Sequence, residues 1–202
     1  MLKVENFSKS YGRKLILQLE LLEFQNGIYW VKGENGTGKS TLLKCLAGLL
    51  SFQGEISLNS KSLKKSPEYY LKLVNFSETE PIYPEFLTAR QLINFYISCK
   101  KGSINEVEKL IQEFEMLLYI DHEPVSNFSS GMLKKLSIIL AFIGNPDVIL
   151  LDEPYITLDQ NAISVLNAYL MIQKQNGKTI ILTSHLEKLP FETINVELTK
   201  QP

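Results

Sequence analysis

The sequence has two cysteines, Cys45 and Cys99, and they do not form a CxxC pair. No disulfide framework and no zinc site follows from them; both read as reduced thiols in packed helices. Charge of one sign is also missing. The net charge is −1, so the chain carries no bulk footprint for nucleic acid or an anionic membrane surface. Long apolar runs are absent. The best is Leu136–Gly144, about half of the ~20 residues that a spanning helix needs. The N-terminal MLKVENFSKSYG lacks the apolar core of a secretory signal. No long linker, low-complexity tract or internal repeat interrupts the 202 residues. One ordinary soluble domain with room for an inserted subdomain is expected. Any membrane role then runs through a partner.

What is present is a succession of strands and helices. Residues 1 to 32 read as strands and turns, with a turn signal at Gly12 and a strand at Ile28–Val31. After a glycine-rich loop, Ser40–Leu50 carries leucines at helical spacing. Gly54–Leu58 and Leu71–Phe76 read as further strands. From Pro84 to Met116 the texture is helical, with Thr88 and Ser103 as N-caps before ARQLINFYISC and INEVEKLIQEFEMLL. A helix after residue 127 leads into Asp147–Leu151, apolar enough for a strand buried on both faces. A helix over Asn161–Gln175 leads into a second such strand, Lys178–Leu182. This order predicts an α/β fold with a parallel sheet.

The strongest chemical signal is Gly33-Glu34-Asn35-Gly36-Thr37-Gly38-Lys39-Ser40. It fits G-x-x-x-x-G-K-[ST] between a strand and a helix. Glycines let backbone N–H groups turn toward phosphate oxygens, and the helix start favours an anion. Lys39 can reach the β- and γ-phosphates, and the Ser40 hydroxyl can ligate Mg²⁺. Asp152 and Glu153 directly follow the buried strand, at the sheet edge where α/β proteins bind ligands. There Asp152 would hold Mg²⁺ and Glu153 would act as general base toward water. His185 follows the next strand and projects to the same edge. Tyr11 precedes the loop, where stacking on adenine competes with a packing role.

With these motifs in order, the sequence resembles the ATP-binding subunits of ABC transporters over nearly its whole length. Tyr11 matches the A-loop aromatic, 33–40 Walker A, and 127–135 the signature. VILLDE at 148–153 matches Walker B, Leu158-Asp159 the D-loop, and His185 the switch histidine. The resemblance implies a P-loop NTPase fold with an ABC-type core, an N-terminal antiparallel β subdomain and an inserted helical subdomain. The boundaries it implies are about 1–78 and 131–202 for the core and 79–130 for the helical subdomain. It implies ATP and Mg²⁺ as cofactors and a nucleotide site formed by Tyr11, Gly33–Ser40 and Thr41. Hydrolysis would occur in a head-to-tail homodimer or heterodimer, each ATP between one P-loop and the partner's Ser129, Ser130, Gly131 and Met132. It further implies a transmembrane permease partner, no nucleic acid, and a cytoplasmic chain peripheral on the inner face of the cell membrane.

Two departures from the family pattern stand out. Where LSGGQ is usual, the chain has Phe128-Ser129-Ser130-Gly131-Met132. Ser129 and Gly131 keep the phosphate-facing types, and Ser129 can cap the following helix. Ser130 puts a side chain where backbone freedom is expected to matter, and Met132 removes an amide donor. In the Q-loop, Thr79 stands at the usual glutamine. Its oxygen can face Mg²⁺ or water with shorter reach, and Glu78 and Glu80 are the alternatives. Two other readings compete: a soluble ABC-type ATPase acting on nucleic acid or the ribosome, and a regulatory subunit that binds without turnover. A single cassette with no heptad run and no basic stripe disfavours the first. The presence of both Glu153 and His185 disfavours the second.

Overall fold

The computed structural model describes residues 1–200. The N-terminal third opens with β1 (Leu2–Tyr11), β2 (Lys14–Phe24) and β3 (Gly27–Lys32), followed by α1 (Lys39–Leu46). Then come β4 (Gln53–Leu58), β5 (Lys61–Ser62), α2 (Pro67–Leu73) and β6 (Val74–Ser77). The middle contains α3 (Ala89–Lys100), α4 (Ile104–Glu113), a short 3₁₀ turn at Val125–Asn127, and α5 (Ser130–Phe142). The last part is β7 (Val148–Leu151), α6 (Gln160–Gln175), β8 (Thr179–Thr183) and β9 (Ile194–Glu197).

Two sheets form. An antiparallel sheet runs β2-β1-β4-β5, and a parallel sheet runs β6-β7-β8-β3-β9. Strand alternation in the parallel sheet divides the interior in two. Ile28, Ile149 and Ile180 sit in register and face one core, with α3, α4, α5 and α6. Tyr29, Val148, Leu150 and Ile181 face the other, with α1 and the antiparallel sheet. Both faces are covered, which is why β7 and the centre of β8, Ile180–Leu182, are apolar. Consecutive parallel strands then end at a common edge, and the loops that follow β3, β6, β7 and β8 meet there.

Three element boundaries differ from the sequence expectation. Leu71–Leu73 are the end of α2, not strand. Pro67 at the first helical turn starts that helix, and the strand begins only at Val74. The helix expected to reach Leu50 ends at Leu46. Gly48 takes a φ of 74°, while Leu49 N–H bonds Lys44 O and Gly48 N–H bonds Cys45 O, a Schellman closure. The same closure ends α4 early, with Glu115 at φ 58° and Met116 N–H on Ile111 O. The expected caps divide. Thr88 makes a full capping box with Gln91, whereas the Ser103 side chain makes no capping bond.

Candidate functional site

The loop after β3 is shaped by tight approaches. A Cβ on Gly33 would lie 2.5 Å from Leu198 O, and one on Gly38 would lie 2.7 Å from Leu17 Cγ. Both residues also have positive φ, so glycine is required twice over. Thr37 is buried and its hydroxyl donates to Glu34 O at 2.9 Å, pinning the loop to itself. The Lys39 ammonium donates to Gly33 O at 2.8 Å and Glu34 O at 3.2 Å. It lies in the mouth of the loop, against carbonyls that an anion can replace as its partner.

Beside the loop is an open cavity of about 480 Å³. Its walls include Tyr11, Asn35, Gly36, Gly38, Lys39, Ser40, Thr41, Thr79, Glu153 and His185, with Lys14 and Ile16 from β2. The structure therefore brings together residues as far apart in sequence as Tyr11 and His185. Tyr11 is exposed, and the Lys9 ammonium lies 4.8 Å from its ring centroid. Tyr11 thus stands at the cavity rim and not in the core.

Ser40 Oγ donates to Asp152 Oδ1 at 3.0 Å, joining α1 to the end of β7. A hydroxyl and a carboxylate together offer the hard oxygen donors that suit Mg²⁺, which takes few protein ligands plus phosphates and water. Asp152 is buried beneath the cavity. Its Oδ1 also accepts from Thr183 Oγ1 at 2.7 Å. That hydroxyl in turn accepts from Glu153 N–H at 2.9 Å. Glu153 takes a positive φ of 45°. Its carboxylate accepts from His185 N–H at 3.1 Å and lies 3.4 Å from His185 Nε2. Burial pushes the Glu153 carboxyl above the ordinary carboxylate range, while the His185 ring and N–H pull it the other way.

Thr79 lines the cavity, and Glu78 and Glu80 do not. The Glu78 carboxylate is instead paired with Lys44, so it is not free to replace a Q-loop amide. Ser129, Ser130, Gly131 and Met132 lie outside this cavity. Ser129 Oγ accepts from Met132 N–H at 3.2 Å, and its caps α5 as expected from sequence. Ser130 opens the helix and has no positive φ, so the expected need for backbone freedom there is absent. The tight position is Gly131, where a Cβ would meet Thr157 O at 2.9 Å. Lys135 pairs with Asp159 at 2.6 Å, and Asp159 caps α6 through Ala162 N–H.

Lys14 and Ile16 of the cavity wall were not singled out by sequence, and neither were two residues behind it, Thr183 and Lys134. Thr183 reads as one more β-branched strand residue, although a polar end to an apolar strand is a detectable signal. Lys134 is 1% exposed, and burial pulls its ammonium down to about 8 against the opposing pull of Asp152, Glu153 and Glu78.

Residues 19–156 match the family described as ABC transporter. A lantibiotic transport ATP-binding protein of Streptococcus pyogenes is 32% identical over 92% of this chain and 80% of its own length. A cytochrome c biogenesis ATP-binding export protein of Mannheimia succiniciproducens is 31% identical over 96% of this chain and 92% of its own. Among solved structures, the ATP-binding subunit of an ABC transporter superposes with a TM-score of 0.83 at 29% identity, covering 92% of this chain and 79% of that one. The chain belongs to the ABC transporter family, among its ATP-binding subunits.

Proposed function

We propose that the chain binds Mg·ATP in the cavity between Tyr11 and Glu153 and hydrolyses it with Glu153 as general base. The observation that carries this reading is the Ser40–Asp152 hydrogen bond at 3.0 Å beside the glycine loop, with Glu153 on the same cavity wall. Lys39 and the loop amides hold the phosphates, and Tyr11 stacks on the base. Mg²⁺, held by Ser40 and Asp152 with Thr79 nearby, would supply charge neutralisation at the β- and γ-phosphate oxygens. Glu153 takes a proton from water as the water oxygen bonds to the γ-phosphorus. The bond from that phosphorus to the β–γ bridging oxygen breaks, and ADP and phosphate leave. His185 holds the Glu153 carboxylate in place from the end of β8 and faces the same cavity.

Residues 129–132 act on the nucleotide of a second cassette; they form the N-terminal end of α5 and do not line the cavity of their own chain. Residues 79–130 form the subdomain that meets a permease. The contact extends onto the core along a groove of about 240 Å³, lined by Phe95 and Tyr96 of α3 on one side and by Leu49, Leu71 and Phe76 of the core on the other. Phe95 and Leu49 are 62% and 61% exposed there, more apolar surface than an isolated domain gains from showing. No helix among the described residues is long and apolar enough to cross a membrane. In this reading the permease holds the chain on the cytoplasmic face of the membrane.

Sedimentation of Glu153→Gln tests the shared-site reading. With Mg·ATP the variant runs as a dimer, and without nucleotide as a monomer. A monomer under both conditions contradicts it.

A further inference from the structure

Lys134 is a buried cation whose partners are all main-chain oxygens. It sits on α5 just beyond the turn capped by Ser129, with 1% of its surface exposed. Its ammonium donates to Glu78 O at 2.7 Å, Asp152 O at 2.8 Å and Thr79 O at 3.4 Å. A lysine ammonium has three protons and no acceptor, so these carbonyls use its full capacity. Burying an ammonium is costly unless it is fully bonded. A residue serving only to fill space between α5 and the sheet would be met more cheaply by leucine or methionine.

The position of those carbonyls indicates what the bonds do. β6 and β7 pair in parallel register up to Ser77 and Leu151, and the last ladder bond is Asp152 N–H to Ser77 O at 2.8 Å. Beyond it the two chains part. One continues through Glu78 and Thr79 toward α3, and the other through Asp152 into Glu153. The Lys134 ammonium spans the gap where strand pairing stops. It fixes the backbone on both sides of the fork just before the residues that line the cavity, Thr79 and Glu153. Glu153 is held at a positive φ, a conformation that a glutamate does not keep without surrounding constraint.

We propose that Lys134 is a positioning residue for hydrolysis, tying the N-terminal half of α5 to the backbone that aims Thr79 and Glu153. This rests on the reading of Glu153 as general base. Lys134 lies three residues past Gly131, a rise of about 4.5 Å along a rigid helix. Engagement of residues 129–132 by one nucleotide therefore bears directly on the geometry of the other site's water-facing groups. Lys134 touches no nucleotide, so its loss affects turnover and leaves binding alone.

The test compares the full-length parent, Lys134→Met and Lys134→Gln in phosphate release and in Mg·ATP binding by calorimetry. Lys134→Met nearly keeps the volume, ends one bond short of the ammonium and removes every donor. Its kcat should fall by roughly 10- to 100-fold, as expected for a misplacement near 1 Å, while KM and the Mg·ATP affinity stay within about two-fold. Lys134→Gln keeps a donor one bond short and should be intermediate in kcat, again with unchanged affinity. If Lys134→Met does not fold, Lys134→Gln decides by the same split. An equal fall in kcat and affinity, or parent-like kcat in a folded variant, overturns the proposal. A parent chain that releases no phosphate overturns the general-base reading as well. A parent that turns over beside an equally fast variant overturns this proposal alone.

Discussion

Replacing Thr183 by valine exchanges one hydroxyl for a methyl group of nearly the same shape, at a site with no exposed surface. The hydroxyl accepts from Glu153 N–H at 2.9 Å and donates to Asp152 Oδ1 at 2.7 Å. Valine leaves the Glu153 N–H buried without a partner, at a cost of ~1–3 kcal/mol, and removes a hydrogen bond to a carboxylate that contributes ~1.5–3 kcal/mol. The two losses share one atom, so about 3–5 kcal/mol is expected together. That is a large part of a stability of ~5–15 kcal/mol, and lowers a urea midpoint by about 1–2 M. Serine at the same position keeps the hydroxyl and loses one methyl, a change of about 1 kcal/mol. Denaturation of the two variants therefore separates polar support from packing. The expected order is parent, then Thr183→Ser, then Thr183→Val, with phosphate release lowest in valine because both Asp152 and Glu153 lose their restraint. A valine variant as stable as the parent, with serine the weaker of the two, would refute the reasoning. It would mean that Thr183 is a packing residue whose hydroxyl is incidental.

Other predictions follow from the same contacts. Tyr11→Ala should weaken Mg·ATP binding by roughly 5- to 150-fold, the range for loss of one aromatic–base stack. Tyr11→Phe should bind like the parent, and equal affinities of the alanine and phenylalanine variants would contradict stacking. Gly131→Ala forces a Cβ against Thr157 O at 2.9 Å. A loss of about 1–3 kcal/mol from overpacking is expected, read by thermal unfolding and by weaker dimerisation in Mg·ATP; a parent-like melt would contradict it. The Lys135 ammonium, with help from Ala162 N–H, holds the Asp159 carboxyl below the usual carboxylate range. A depressed folded value gives stability that is present above the ordinary carboxylate range and is lost as pH falls through the folded value. Asp159→Asn keeps the cap but loses the pairing. Its deficit, under about 1 kcal/mol for a carboxylate so exposed, should shrink as pH falls from neutral through and below the ordinary carboxylate range. A deficit that does not change with pH would contradict this.

The candidate site was legible in the sequence where its geometry depends on residue types adjacent in the chain. The glycine loop, Ser40 and the Asp152–Glu153 pair are such cases, because a strand, a turn and a helix start place them without help from elsewhere. Ser129 was legible for the same reason, as a cap requires only its own helix. Thr183 and Lys134 were not, because their roles are set by partners 31 and 56 residues away. Nothing local distinguishes Lys134 from a solvated lysine; only burial does. Among the elements, Leu71–Leu73 went to α2 because Pro67 seeds a helix that the apolar run alone does not announce. The early end of α4 rests on Glu115 in the left-handed region, a place that sequence reading assigns to glycine or asparagine.

The central claim is that Glu153 accepts the proton of the attacking water in a working ATPase. Phosphate release by the parent and by Glu153→Gln tests it most directly. Glutamine keeps an oxygen for the His185 N–H, so Mg·ATP binding should be preserved while turnover falls by about 10²–10⁴-fold. Glu153→Gln releasing phosphate at the parent rate would contradict the account.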